Sequence, residues 1–105
     1  MPDTLEALAE PHRRRILDVL RGGGASVGSL VDVLNASQPL VSKHLCVLRE
    51  AGLISVRVDG QRRLYRVRPE PLVALDAWLA PYRQLWNTSL DRLEAHLTEG
   101  DEWMN

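Results

Sequence analysis

The eight residues Ser37-Gln38-Pro39-Leu40-Val41-Ser42-Lys43-His44 gather side-chain types that can read a nucleic acid. A glutamine amide sets a donor beside an acceptor and pairs bidentately with the major-groove edge of adenine. A serine hydroxyl serves several base edges or a phosphate, and a lysine ammonium serves a phosphate or the acceptor edge of guanine. That chemistry requires Gln38, Pro39, Ser42 and Lys43 to leave one helix on the same side. Val41, Leu45 and Leu48, spaced i, i+4 and i+7, turn the opposite side inward and so meet the requirement. Ser37 stands at the N-cap position, and the free N–H groups behind it can hold a phosphate oxygen. His44 is read as a phosphate contact or as a partly buried packing residue. A second set, Arg57, Gln61, Arg62 and Arg63, surrounds Asp59-Gly60, a strong hairpin signal. It would ride on a wing laid over a phosphate backbone or a minor groove.

The charge balance agrees with a polyanion partner. Over 105 residues the formal net charge is only −1, but the signs are segregated. From Arg13 to Arg68 there are eleven basic residues against four acidic ones, and the remainder carries two against ten. A basic middle between acidic ends suits binding to nucleic acid, the rival being charge clustered on solvated faces or a basic face that docks an acidic protein. The length fits one domain, 1–105, with one modest core. Three scattered His and one Cys cannot supply a nucleophile, a base and an orienting group, which excludes an enzyme. Cys46 has no partner for an intramolecular disulfide. The opening Met1-Pro2-Asp3-Thr4-Leu5-Glu6 lacks a basic region followed by an apolar run, so a cytoplasmic, intact protein is expected.

The elements that must position these residues follow from local punctuation. Asp3 and Glu6 form a capping box ahead of a short helix over Thr4 to Ala9, with Leu5 and Leu8 on one face. Pro11 opens a second helix that turns Ile16, Leu17, Val19 and Leu20 inward and ends at Gly22-Gly23-Gly24. That glycine triplet follows a helix and lacks a Gly-Lys-Ser/Thr ending, so it reads as a connector rather than a phosphate loop. Ser26 caps a third helix carrying Val27, Leu30, Val31 and Leu34, and Asn35 stops it in the left-handed region. Ser37 opens the fourth and Gly52 closes it. Two β-prone runs, Leu53 to Arg57 and Arg62 to Arg68, flank Val58-Asp59-Gly60-Gln61, with Leu64 and Val67 as the apolar positions of the second. Pro71 starts a last helix in which Leu72, Leu75, Leu79, Tyr82, Trp86, Leu90, Leu93 and Leu97 recur every three or four residues. Pro81 should kink it without ending it. At about 27 residues this helix is longer than a small domain needs to cover itself. Its stripe, with Trp78, suits a two-fold interface or a small pocket between subunits. The sum is a mainly helical chain with a β-hairpin wing: a winged helix-turn-helix.

Three stretches make this specific: Ala7-Leu8-Ala9-Glu10-Pro11-His12-Arg13-Arg14-Arg15-Ile16-Leu17, Ser37 through Leu45, and Leu48-Arg49-Glu50-Ala51-Gly52-Leu53-Ile54. Together they resemble the ArsR/SmtB family of bacterial winged-helix transcriptional repressors. The resemblance implies a repressor of an inverted-repeat operator in double-stranded DNA. It also implies a homodimer through the first and last helices, with Leu5, Leu8, Leu75, Trp78, Leu79, Tyr82, Trp86, Leu90, Leu93 and Leu97 at the interface. The metal-sensing positions of the family are not matched. Leu30-Val31-Asp32-Val33 stands where a Cys-x-Cys would be, and from Asp76 onward Trp78, Ser89 and Arg92 replace the imidazole and carboxylate partners of a zinc site. One carboxylate cannot close a tetrahedral site, so no metal and no cofactor are expected. His96, near Glu94 and Glu99, reads as part of a solvated face. Cys46 reads as an ordinary thiol, with oxidation near DNA as the rival. Neither operator nor inducer is written in these residues.

Overall fold

Ile16, Leu30, Val41, Leu45, Leu48, Leu53 and Ile54 are shut off from solvent, and the elements that carry them enclose a single core. The structure, a computed structural model, describes residues 2–99 and the side chains of 4–97. In chain order the elements are α1 (Pro2–Leu8), α2 (Pro11–Leu20), β1 (Ala25–Ser26), α3 (Val27–Leu34), α4 (Gln38–Glu50), β2 (Ile54–Asp59), β3 (Arg62–Val67) and α5 (Glu70–Glu99). One compact unit ends at Leu75, and a second begins at Asp76 within α5.

The caps of α3 and α4 sit where the sequence puts them. Ser26 Oγ accepts from the Ser29 N–H at 3.3 Å and Ser37 Oγ from the Leu40 N–H at 3.3 Å. Each cap contributes roughly 1 kcal/mol. Asn35 closes α3 at φ 52°, ψ 46°. That left-handed residue reverses the chain within three residues and lets α4 start immediately after Ser37. The cap of α2 is Glu10, whose Oε2 accepts from the Arg13 N–H at 3.1 Å, with Pro11 filling the first turn.

Five details differ from the sequence expectation. Helix α1 begins at Pro2, which places Asp3 inside the helix rather than before it. Ala25–Ser26 forms a third strand, antiparallel to β3 with Ala25 opposite Tyr65 and Ser26 opposite Leu64, so the sheet order is β1-β3-β2. The hairpin strands reach Asp59 and Arg62, which face each other, leaving Gly60-Gln61 as the turn. Gly60 has φ 65° and Gln61 does not share the left-handed sign, a turn whose first central position demands glycine. In β3 the buried residue is Tyr65, with Leu64 only partly covered. Side chains alternate along a strand, so Tyr65 and Val67 share the core face while Leu64 lies on the other. Helix α5 starts at Glu70 and runs on through Pro81 as one element.

Candidate nucleic-acid interface

Helix α4 is amphipathic in the way the expected reading surface needs. Val41, Leu45 and Leu48 are buried, and Ser37, Gln38, Pro39, Ser42 and Lys43 are exposed at its N-terminal half. The buried stripe fixes the helix's rotation about its axis, and that rotation turns the polar residues outward.

His44 corrects the sequence reading as a phosphate contact. It is 7% exposed, and its ring stacks on His12 with centroids 5.5 Å apart and planes 9° from parallel. Arg13 Nη1 lies 3.3 Å from His44 Nδ1, and Glu10 Oε2 lies 3.6 Å from His44 Nε2. Burial pushes the imidazole below its ordinary pKa, against the pull of the Glu10 carboxylate. A buried imidazole so engaged packs α4 against α2; the alternative reading as a packing residue is the one that fits. The hydrogen bond from His12 in turn holds the Glu10 carboxyl below the usual carboxylate range.

The three arginines of α2 are also spoken for. Arg13 donates through Nε to the Ala7 carbonyl at 2.7 Å and through Nη2 to the Glu6 carbonyl at 3.2 Å. Arg14 Nη1 donates to the Leu8 and Ala9 carbonyls at 2.8 and 3.1 Å, and Arg15 Nη2 to the Val33 carbonyl at 3.4 Å. These carbonyls lie at or beyond helix C-termini, where the regular ladder of intrahelical bonds runs out; that of Glu6 also accepts from the Ala9 N–H at 3.2 Å. These guanidiniums count toward the basic balance of the middle segment, yet each is turned onto backbone carbonyls.

The wing divides its cations between two faces. Residues opposite one another across β2 and β3 share a face, so Arg63 lies with Val58, Val56 and Tyr65, whereas Arg57 and Arg62 lie with Leu64 and Asp59. Arg62 is partnered by Asp59 at 3.8 Å, both well exposed, while Gln61 occupies the turn. The core-side face and α4 bound an open groove of about 560 Å³ lined by Ser42, Leu45, Cys46, Arg49, Glu50, Arg63 and Tyr65. Ser42 and Arg63 are thus brought together, and Arg49, which sequence reasoning passed over, joins them. Its signal was its place one turn beyond Cys46 and two turns beyond Ser42 on the same helix face. Cys46 Sγ donates to Glu50 Oε1 at 3.4 Å, and this bond and the carboxylate charge push the thiol's pKa up. A thiol held protonated is a poor nucleophile, which weighs against a redox role.

The residues expected at a dimer interface fall in both compact units. In the first, Leu5 is exposed, and Leu8 and Leu75 are half-buried. In the second, Trp78, Tyr82, Trp86, Leu90 and Leu97 are exposed and Leu79 and Leu93 are half-buried. The rings of Trp78 and Tyr82 meet at a tilt of 39°, their centroids 5.0 Å apart. Asp76 is engaged by Arg83 Nη1.

Comparison with known proteins places this geometry. The sequence profile of the family described as bacterial regulatory protein, arsR family, matches residues 10–56. The transcriptional repressor SdpR of Bacillus subtilis is 34% identical over 79 residues, 75% of this chain and 88% of SdpR. Other regulators it resembles are longer, and the chain spans 57–65% of several of them. A crystal structure described as an ArsR family transcriptional regulator is similar with a TM-score of 0.72 and 34% identity, covering 82% of this chain and 89% of that one. A Mycobacterium bovis fragment solved by NMR, described as a homodimeric winged helix-turn-helix DNA-binding domain, is similar with a TM-score of 0.65 and 28% identity, covering 79% and 77%.

Proposed function

The chain belongs to the arsR family of bacterial regulatory proteins, and on that premise we propose that it represses transcription as a homodimer bound to an inverted-repeat operator. It is a DNA-binding transcriptional regulator, with a winged helix-turn-helix as its reading head. The observation that carries the finer reading is the exposed polar face of α4, Gln38, Ser42 and Lys43, of which Ser42 shares a groove with Arg63 of the wing.

In this reading the N-terminal half of α4 enters the major groove. Gln38 selects adenine, Ser42 and Lys43 bond to base edges or phosphates, and Ser37 and Pro39 bring the helix end close to the backbone. Arg63, Arg57, Arg62 and Gln61 grip flanking phosphates from the wing. Two copies related by a two-fold axis present their helices about 34–36 Å apart, one turn of B-DNA. The apolar residues of α1 and α5 supply the seam: large exposed side chains such as Trp78, Tyr82, Trp86 and Leu90 are costly to leave in water. Repression then follows from occupancy, with no catalytic step. No helix among the described residues is long and apolar enough to cross a membrane, which suits work on cytoplasmic DNA.

Selection of bound duplexes from a random library tests the proposal. It predicts an enriched palindrome whose half-sites are spaced by one helical turn, and recovery of no consensus would reject it.

A further inference from the structure

Beside the reading head lies a cluster of metal-ligating side chains that the DNA reading leaves without a task. Glu10 caps α2, His12 lies in its first turn, and His44 projects from α4; one ligand atom from each lies within 4.8 Å of the other two. Glu10 Oε1 is 2.9 Å from His12 Nδ1, and Glu10 Oε2 is 3.6 Å from His44 Nε2. Among the described residues no second group of three such side chains converges in this way. We infer that Glu10, His12 and His44 bind a first-row divalent transition-metal ion of the zinc type, completed by water, which fastens the DNA-reading helix to α2.

The donor set selects the class of ion. Two imidazole nitrogens and one carboxylate oxygen suit zinc and its neighbours, whereas magnesium and calcium demand oxygen throughout. Metal–ligand bonds of about 2.0–2.1 Å at tetrahedral angles put donor atoms about 3.4 Å apart, so the cluster must contract by a little over 1 Å. His12 is the member able to move: its side chain is 41% exposed, against 9% for His44. A ligating lone pair lies in the ring plane, so His12 must turn out of the parallel stack to aim at the point His44 faces.

Arg13 sets the tautomer. Its Nη1 donates to His44 Nδ1, which leaves the ring proton on Nε2, toward Glu10. When Nε2 takes the ion, that proton moves to Nδ1 and Arg13 gives up this one bond, keeping those to the Ala7 and Glu6 carbonyls. The nearby guanidinium charge makes the site weaker than an all-thiolate one, and so responsive to ion supply. The ligands come together only in the folded chain, so the ion stabilises the fold by mass action. The site is separate from the positions at which the family resemblance locates metal ligands, and it revises the sequence expectation of none.

The test is titration of the metal-free full-length protein with Co²⁺, followed by visible absorption, then displacement by Zn²⁺ and thermal denaturation. The expected result is one four-coordinate Co²⁺ per chain, displaced by Zn²⁺, with Zn²⁺ raising Tm. His12→Gln, at an exposed position, and Glu10→Gln, which retains a capping oxygen, should each weaken Co²⁺ binding at least about tenfold with the circular dichroism spectrum unchanged. His96→Gln should leave binding as it is. Absence of a four-coordinate spectrum, binding indifferent to both His12→Gln and Glu10→Gln, or binding abolished by His96→Gln would each overturn the assignment. None of these outcomes bears on DNA binding, which is read separately.

Discussion

Arg13-Arg14-Arg15 and Arg62-Arg63 look alike as sequence, two short runs of guanidinium in the same basic segment, yet the fold uses them differently. The first run is turned onto carbonyls of α1, the residue beyond it and α3, and ties helix ends together. The second stands in solvent on a hairpin, with Arg63 on the groove that also holds Ser42 and Arg62 held only by an exposed ion pair. Net charge therefore describes a segment, not a surface. What a cation does depends on whether a helix-end carbonyl lies within its reach.

That contrast can be broken by substitution. The largest effect is expected from Arg13→Ala, which removes charge-assisted bonds to two backbone carbonyls and to His44. Denaturant titration should show a loss of about 3 kcal/mol in stability, with little change in the salt dependence of DNA binding. Next comes Gln38→Ala, which should leave the fold intact and lower discrimination at one base pair of each half-site by roughly 1–3 kcal/mol, read by competition between matched and mismatched duplexes. Arg63→Ala should weaken binding to all duplexes by about 1 kcal/mol and lower the slope of log K against log salt by about 1 for each arginine lost. Arg62→Ala should act in the same direction but less, because Asp59 already offsets part of its charge. The smallest effect belongs to Cys46→Ser: the thiol is held protonated by Glu50, so affinity with and without a mild oxidant should match that of the parent chain.

The α4 face was legible because its determinants are local. Ser37, the Val41–Leu45–Leu48 spacing and Gly52 are read within one helix, and the structure keeps them all. His44 was legible only as an alternative, since its burial depends on Glu10, His12 and Arg13, about thirty positions away in the chain. The same distance hid the metal-ligating cluster, whose members follow no spacing motif. Strand β1 is two residues long and overlaps the cap of α3, so neither periodicity nor composition marks it. The wing's division of cations was available in principle: Leu64 and Val67, three apart, cannot share a strand face, whereas Tyr65 and Val67 can. Choosing Tyr65 as the buried residue would have put Arg63, not Arg62, toward α4.

The most direct test of the central claim is the affinity of the protein for its selected duplex, and for a scrambled one, measured between 50 and 200 mM salt. The account predicts that both affinities fall linearly in log K against log salt while the selected duplex keeps its advantage. An affinity indifferent to salt, or equal for the two duplexes at every salt concentration, would contradict it.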